Sequence, residues 1–508
     1  MTTTTRPGSA AGASRSGAVP ALLAAPHLVN VAAPGMEGLA RWLAESGADV
    51  TGSVPADLAR SPAVAALEAA GVRVHAGFDP AHVGAERSAV VWSSAVAAPH
   101  PELDRARAVH LPVLGRASAL RAITADAGAV TVAVGGSHST ATAAAALAAV
   151  LDDGRTGWIL NTPARAGVAG RAAAGGRIVV DFCPDTTTHE AAPPYAWQHL
   201  PAPYLPNTEQ HHAAALIVST GANAPHYEDV VAGLDAAERL ARRADIVVLP
   251  AWDGGLANLH ERLTGRKGPD VVTVGSDAAS TVRIIRLARN ATGFHAVLRH
   301  RAEGHGFDLS VAGRHHALAV CAAIATALAI GEDPHAVVQR ATAFLGAHRS
   351  LTVLGEAAGI TVVDSRARHP HEVAHDVQAA RHLTEGSLIV ALTPDGLARA
   401  GAHAAELGNA LAAANRVLLL PVDTPLTHHT VAPDPLDAIE QAARHRLSTA
   451  AVHRLRTGRG AAGPAQKIAA MAGDGDLVLV VGTGSAEQLG PRLLTHLAAQ
   501  SAPAPPQP

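Results

Sequence analysis

Short apolar runs alternate along the chain with longer stretches in which apolar residues recur every three or four positions. The first run is HLVNVAA at 27–33, followed by the helical pattern MEGLARWLAESG and then by ADVTGS. Further strand-like runs lie in GVRVHAG, SAVVWSSAV and HLPVLG. Strands that alternate with helices in this way predict βαβ units on a parallel sheet. Residues 26–126 are therefore expected to form one α/β domain.

The same alternation predicts a second domain over 127–312 and a third over 313–497. Strand-like runs of the second domain are AVTV, GRIVVDF, AALIVST, ADIVVLPA, DVVTVG and HAVLRH. The third domain is expected to open with the helix GRHHALAVCAAIATALAIG and to continue through GITVVDS, GSLIVALTP, NRVLLLPVD and GDLVLVVGTGS. The predicted fold class is α/β, with three consecutive doubly wound domains built on mainly parallel sheets. The small and polar tails 1–25 and 498–508 are predicted to be disordered.

Composition narrows the possible partners. The chain has 508 residues, a formal net charge of −3 and only 3% aromatic residues, so neither nucleic acid nor an anionic membrane surface is expected as a partner. The sequence contains no run of about 20 strongly apolar residues, so no membrane span is predicted. The two cysteines, Cys183 and Cys321, are expected to be small core residues rather than a disulfide, which favours a reducing, cytoplasmic location.

One glycine turn has the outline of a phosphate-binding loop. AVGGSHSTATAAAALAAVL at 133–151 follows a strand-like run and leads into a helix. Glycines let backbone N–H groups face a phosphate, a lysine reaches the β and γ phosphates, and a hydroxyl binds Mg²⁺. Gly135 and Gly136 supply the turn and Thr140 the hydroxyl, but His138 and Ser139 stand where a second glycine and the lysine would be. The residues alone leave both a phosphate site and an ordinary strand–helix turn open.

Other candidates follow strands of the third domain. Asp364 ends one strand and His369 comes shortly after it, where parallel sheets place ligand crevices. The adjacent histidines of EQHH (209–212) and THHT (427–430) have no Cys/His set around them and point in different directions on a regular element, so no structural metal site is predicted there.

The order of these motifs resembles that of the Mur ligases. A glycine turn at APGMEG, the loop near 135, GRH near 313, VVDSRARHPHE near 362 and GDLVLVVGTG near 475 follow the family's sequence from about 27 to 496. The resemblance implies three α/β domains that bind a UDP-sugar, ATP and an amino acid, in that order. It further implies ATP-dependent amide-bond formation through an acyl phosphate in peptidoglycan precursor synthesis. The implied cofactors are ATP and Mg²⁺, and the implied partners are a UDP-sugar peptidoglycan precursor and a small amino acid.

The resemblance also assigns residues to roles. It implies substrate binding by Gly35, Met36, Ser53, Ser93, Ser94 and Arg116. It implies nucleotide binding by Gly135, Gly136, His138, Ser139, Thr140, Arg314 and His315. It implies metal binding by Thr140, Asp181 and Asp185. It implies catalytic roles for Asp364, His369 and Arg349.

The residues that depart from the family pattern lie mainly at positions to which the resemblance assigns phosphate or Mg²⁺ binding. Ser139 replaces the loop lysine, Pro184 falls near the position of a Mg²⁺-binding glutamate, and Ala224 falls near that of a metal-binding histidine. Loss of such contacts predicts an impaired or noncatalytic protein that acts as a binding or regulatory partner, including toward another protein. One alternative is an active ligase for a different substrate, in which Arg155, Arg165 or Arg368 replaces the lysine and Asp181 or Asp185 holds Mg²⁺. Another is a different function on a similar α/β architecture.

Overall fold

The computed structural model describes most of the chain between the tails. The described residues are 19–93, 96, 99–126, 130–165, 167–172, 175–182, 212–220, 227–265, 268–422, 434–448, 451–455 and 463–501. The described residues reach into both tails that the sequence predicts to be disordered. A short 3-10 turn at Ala21–Leu23 places Leu23 in the first core, and the last helix runs to Ser501. Within the described part, no helix is long and apolar enough to cross a bilayer.

The first domain is a five-stranded, wholly parallel sheet with helices between its strands. Its strands are β1 (Pro26–Val29), β2 (Thr51–Val54), β3 (Arg73–Ala76), β4 (Ala89–Trp92) and β5 (Val113–Gly115). Its helices are α1 (Met36–Glu45), α2 (Pro62–Ala69), α3 (Pro101–Ala108) and α4 (Arg116–Asp126). The strand order β3-β2-β1-β4-β5 reverses direction next to β1 and β4, which opens a crevice beyond their carboxyl ends.

The second domain carries a ten-stranded mixed sheet. Its strands are β6 (Val130–Gly135), β7 (Thr156–Ile159), β8 (Gly170–Arg171), β9 (Arg177–Asp181), β10 (His212–Ile217), β11 (Ala244–Pro250), β12 (Asp270–Gly275), β13 (Val282–Arg289), β14 (Phe294–His300) and β15 (Glu303–Leu309). Its helices are α5 (Thr140–Val150), α6 (Tyr227–Ala241), α7 (Gly254–Leu263), α8 (Arg314–Ala329) and α9 (Pro334–Thr342). The order is β15-β14-β13-β12-β11-β10-β6-β9-β7-β8, parallel from β7 to β13 and antiparallel at both edges.

The third domain is built on a six-stranded sheet of order β16-β17-β21-β18-β19-β20, antiparallel only between β16 and β17. Its strands are β16 (Thr352–Ala357), β17 (Ile360–Ser365), β18 (Leu388–Leu392), β19 (Arg416–Leu419), β20 (Val452–Arg454) and β21 (Leu477–Val481). Its helices are α10 (Pro370–Arg381), α11 (Leu397–Ala402), α12 (Ala404–Ala410), α13 (Pro435–Arg446), α14 (Pro464–Ala469) and α15 (Leu489–Ser501). The predicted fold class, α/β with mainly parallel sheets, is confirmed.

Helix α8 lies in the core of the second domain, so the predicted boundary between 312 and 313 is corrected. Its buried face, which includes Val320, Cys321 and Ile324, packs with Leu147 of α5 and with the sheet. Its buried alanines let it lie close against α5 and the strands. Helix α9 joins the same core, and the third sheet begins only at β16. The thiol of Cys321 is buried there as predicted, and burial raises its pKa to about 12.

Two glycines allow the first domain to dock on the second. A Cβ at Gly38 on α1 would lie 2.6 Å from the carbonyl oxygen of Leu160, and a Cβ at Gly170 on β8 would lie 2.0 Å from the carbonyl oxygen of Gly38. Neither contact could relax by moving a side chain, because both partners are backbone atoms. The absence of a Cβ therefore sets the close approach of α1 to the edge of the second sheet.

Candidate functional site

The glycine loop joins the carboxyl end of β6 to the first turn of α5. Gly136 has a φ of +152°, and a Cβ there would lie 2.9 Å from the backbone nitrogen of Ser219. Ser139 has a φ of +62° and sits immediately before the helix without capping it through its own side chain. The loop thus has the shape that presents successive N–H groups at a helix N-terminus.

Those N–H groups are already bonded to protein acceptors. Ser137 N–H donates to the carbonyl oxygen of Ser219 at 3.3 Å, and His138 N–H donates to Ser219 Oγ at 3.0 Å. Ser139 N–H donates to Oε1 of Glu372 at 2.7 Å. Ser219 Oγ in turn donates to the carbonyl oxygen of His138 at 2.9 Å. Three consecutive donors that a phosphate would need are therefore satisfied within the chain.

Glu372 connects two helix N-termini. Its Oε2 accepts from the backbone N–H groups of Arg368 and His369 at 3.3 and 3.4 Å, which completes a capping box on α10. Its Oε1 reaches Ser139 at the start of α5. Burial opposes ionisation, but the facing His138 and His369, the Ser139 N–H and Arg368 lower the pKa of Glu372 to about 2. The group is an anion at neutral pH, in the position where helix dipoles favour one.

The ring of His138 in the loop contacts two imidazole rings of the third domain. The rings of His138 and His369 stack with centroids 4.6 Å apart, and the ring of His371 lies 5.1 Å from that of His138. Burial lowers the pKa of His138 to about 4 and that of His369 to about 3. Both rings are neutral at pH 7, so His138 does not supply the positive charge of the missing lysine.

The other predicted nucleotide ligands are turned elsewhere. The Arg314 guanidinium donates to the carbonyl oxygen of Leu287 at 3.1 Å, on strand β13. The Thr140 side chain is buried at the first position of α5. His315 faces Asp376 on α10, with 2.9 Å between Nε2 and Oδ1. Of the arginines proposed to replace the lysine, Arg368 has its guanidinium 3.6 Å from Asp395.

Arg349 and Asp364 form a closed ion pair rather than an open catalytic pair. Nε and one terminal nitrogen of Arg349 donate to the two carboxylate oxygens of Asp364 at 2.6 and 2.9 Å. The same guanidinium reaches Glu487 at 3.1 Å and the carbonyl oxygen of Gly482 at 2.9 Å. Both residues are less than a tenth exposed. The pair ties the segment before β16 to the ends of β17 and β21.

The described residues assigned to the UDP-sugar lie at or just beyond the carboxyl ends of β1, β2, β4 and β5, and most are engaged internally. Arg116 donates to the carbonyl oxygens of Gly35 and Asp181 at 3.0 and 3.2 Å. Ser53 Oγ donates to Glu102 at 2.6 Å. Ser93 is buried at the end of β4.

The Met36 side chain is fully buried in the first core, which leaves only its backbone in the glycine turn for a ligand contact. Ser94 lies outside the described residues.

Of the predicted metal ligands, Asp181 ends β9 beside β6. Its Oδ2 accepts from the backbone N–H of Asn161 at 3.2 Å, and its side chain is fully buried. Asp185, together with the neighbouring Cys183 and Pro184, lies outside the described residues, as does Ala224. Of the predicted metal ligands, the described chain therefore supplies a threonine hydroxyl and one bonded carboxylate.

The arrangement defines a class of protein: three α/β domains in which a glycine loop of the second domain meets the first helix turn of the third. Residues 26–127 match the Mur ligase family, catalytic domain, and residues 348–484 match the Mur ligase, glutamate ligase domain. The second match begins between α9 and β16, in agreement with the corrected boundary. The chain belongs to the Mur ligase family.

The relatives of this chain align with it over nearly its whole length. It is 33% identical to the UDP-N-acetylmuramate–L-alanine ligase of Kineococcus radiotolerans, over 93% of this chain and 96% of the relative. It is 30% identical to that of Streptomyces avermitilis, over 95% and 99%. Among solved structures, a UDP-N-acetylmuramate–alanine ligase from Thermotoga maritima shares the fold, with a TM-score of 0.70 and 19% identity over 94% of this chain and 99% of that one.

Sequence reasoning missed the partners that close the loop. Ser219 follows β10 and Glu372 lies on α10, far from the loop along the chain, and neither was assigned a role at the loop. The signal that could have pointed to Glu372 is the pattern His-Pro-x-Glu, which predicts a capped helix N-terminus with a carboxylate at its end. Nothing in the local sequence shows that this carboxylate also faces a second helix.

Proposed function

We propose that this member of the Mur ligase family does not carry out ATP-driven amide-bond formation and acts as a binding or regulatory protein in peptidoglycan precursor metabolism. The carrying observation is the carboxylate of Glu372, hydrogen bonded to Ser139 N–H at the helix N-terminus. A nucleotide phosphate placed there would have to displace an anion that two helix N-termini stabilise.

The substitution at Ser139 supports the same proposal. Transfer of a γ-phosphoryl group needs cationic groups that neutralise the charge developing on its oxygens. The loop offers a serine hydroxyl and two imidazoles whose pKa values lie near 4 and 3, and all three are uncharged at pH 7. Loss of one such electrostatic contact typically costs about 10²–10³ in rate.

The ligand of this proposed binding protein is expected to occupy the first domain. Its strand order leaves a crevice at the ends of β1 and β4, next to Gly35, Ser93 and Arg116. The curated relatives act on UDP-N-acetylmuramate and L-alanine by name, and a UDP-sugar of this class is the ligand proposed for this crevice. ATP and Mg²⁺ are not required for that binding. The cytoplasmic location stays a prediction.

A phosphate-release assay tests the proposal. Purified protein is incubated with UDP-N-acetylmuramate, L-alanine, ATP and Mg²⁺, beside the Streptomyces avermitilis relative as a positive control. The expected result is no release above the protein-free rate, together with calorimetric binding of UDP-N-acetylmuramate in the absence of ATP. Alanine-dependent phosphate release would contradict the noncatalytic assignment and favour the active-ligase alternative. Failure to bind the UDP-sugar would contradict the ligand assignment.

A further inference from the structure

Three side chains with metal-ligating atoms meet where the second and third domains touch. His315 and His316 occupy the first turn of α8, and Asp376 lies midway along α10. Their ligand atoms all lie within 4.8 Å of one another. Oδ1 of Asp376 is 2.9 Å from Nε2 of His315 and 3.9 Å from Nε2 of His316. The two adjacent rings point toward the same carboxylate, with centroids 3.9 Å apart.

The carboxylate at the centre of this group is only half satisfied. Oδ2 of Asp376 accepts from the Ser365 hydroxyl at 2.5 Å, and Ser365 Oγ itself accepts from Ala367 N–H at 3.0 Å. Oδ1 makes no hydrogen bond within the described part of the chain, although Nε2 of His315 lies 2.9 Å away and the residue is only 4% exposed. A buried carboxylate oxygen without a hydrogen bond is costly unless a cation satisfies it.

We propose that His315, His316 and Asp376 bind a divalent transition-metal ion, with Zn²⁺ as the best match to two imidazole nitrogens and one carboxylate oxygen. Ligand atoms about 2.0–2.2 Å from a common zinc ion lie roughly 3.3–3.5 Å apart, which small movements of these three side chains would reach. The Ser365 hydroxyl then acts as the outer partner that orients the carboxylate ligand.

The ion would link two domains. His315 and His316 belong to the second domain through α8, whereas Asp376 belongs to the third through α10. The ring of His375, which precedes Asp376 on α10, stacks 5.2 Å from that of His315 beside this group. This site is separate from the predicted magnesium ligands Thr140 and Asp181, and its proposal does not rest on the proposed function. Metal binding would hold the third domain against the second and keep Glu372 on the loop.

Zinc titration of the full-length, chelator-treated protein tests the site. Calorimetry under competition from a chelator should show about one tight equivalent of Zn²⁺ per chain. Cobalt in place of zinc should give visible absorption bands of a low-coordinate nitrogen–oxygen site. His316→Asn and Asp376→Asn should each weaken this equivalent at least tenfold, because each removes one of three ligands.

Two control variants separate this site from other histidines. His82→Gln alters a histidine that contacts the buried Glu102 in the first domain, and His445→Gln alters an exposed histidine on α13. Both should keep the tight equivalent and the cobalt bands. Circular dichroism should show that all four variants are folded. A wild-type protein without a tight equivalent, or folded His316→Asn and Asp376→Asn proteins with unchanged zinc affinity, would overturn the proposal.

Discussion

The carboxylate of Glu372 accepts a hydrogen bond from the backbone N–H of Ser139 at 2.7 Å, across 233 residues of sequence and across the contact between two domains. The same carboxylate caps its own helix α10. A single side chain therefore fills the anion position of the glycine loop and fixes the third domain to it. The proposed loss of ATP chemistry and the closed arrangement of the domains have this contact in common.

Replacing Glu372 by glutamine should destabilise the protein. Glu372→Gln removes the charge that three backbone N–H groups and two helix N-termini stabilise, and the expected cost is about 1–3 kcal/mol. The free energy of unfolding in urea measures it. The matched Glu86→Gln variant, which alters an exposed glutamate paired with Arg87, should leave that free energy nearly unchanged. Equal effects of the two substitutions would show that the contact adds nothing to stability.

Stability should fall on acidification through the range in which histidines titrate. The pKa of His138 is about 4 in the folded chain against 6.5 for a free imidazole, so the unfolded chain binds more protons between these values. Stability from the neutral ring is present above pH 6.5 and is lost progressively as the pH falls toward 4. Glu372, with a pKa lowered from 4.5 to about 2, adds a second loss below pH 4.5.

Thermal unfolding midpoints between pH 7.5 and 4.5 measure this dependence. His138→Asn should reduce the slope of the fall between pH 6.5 and 5, because one ring that is held neutral is gone while that of His369 remains. His445→Gln, on the exposed side of α13, should leave the slope unchanged. A wild-type midpoint that is flat over the whole range would show that His138 is not held neutral.

The Arg349–Asp364 pair should matter through stability. Arg349→Met leaves a buried carboxylate without its bidentate partner, at an expected cost of about 3–5 kcal/mol. Arg262 pairs with Asp235 and Glu238 on the surface, so Arg262→Met should cost less than about 1 kcal/mol. Urea unfolding followed by circular dichroism compares them. Similar costs for the two variants would mean that the pair does not hold the third domain together.

A methyl group at Gly38 should loosen the first domain from the second. The new Cβ in Gly38→Ala would meet the carbonyl oxygens of Leu160 and Ala169 at 2.6 and 2.7 Å. Such overpacking typically costs about 1–3 kcal/mol. Hydrogen exchange should become faster in α1 and β7, whereas Gly176→Ala, which adds a methyl group in open space, should not change it. Unchanged exchange in the Gly38→Ala protein would contradict the close docking.

The apolar periodicity of the sequence was sufficient to predict the parallel strands. It was insufficient to predict elements whose placement depends on tertiary contacts. Buried runs such as those of β6 and β21 are apolar at nearly every position, so both their existence and their parallel pairing could be predicted. Strands β13 and β15, which both pair antiparallel with β14, are half exposed and include charged residues, so their sequences did not stand out as apolar runs. Helix α8 was assigned to the wrong domain because an alanine-rich helix carries no mark of the sheet it packs on.

In the candidate site, too, local features could be predicted from the sequence, whereas contacts between domains could not. Local sequence predicts the turn at Gly135 and Gly136 and the absent lysine, because both are properties of one segment. The contacts of Glu372 with Ser139 and of Asp376 with His315 join segments from different domains. Such pairings depend on how the domains dock, and a single sequence carries no direct record of that.

Calorimetric titration of the wild-type protein with ATP·Mg²⁺, beside the Ser139→Lys/Glu372→Gln double variant, is the most direct test of the central claim. The occupied loop predicts no measurable binding by the wild type. It also predicts detectable binding by the double variant, in which the internal anion is gone and a loop cation is restored. Micromolar binding of ATP by the wild type would contradict the account, because it would show that the loop accepts a phosphate despite Glu372.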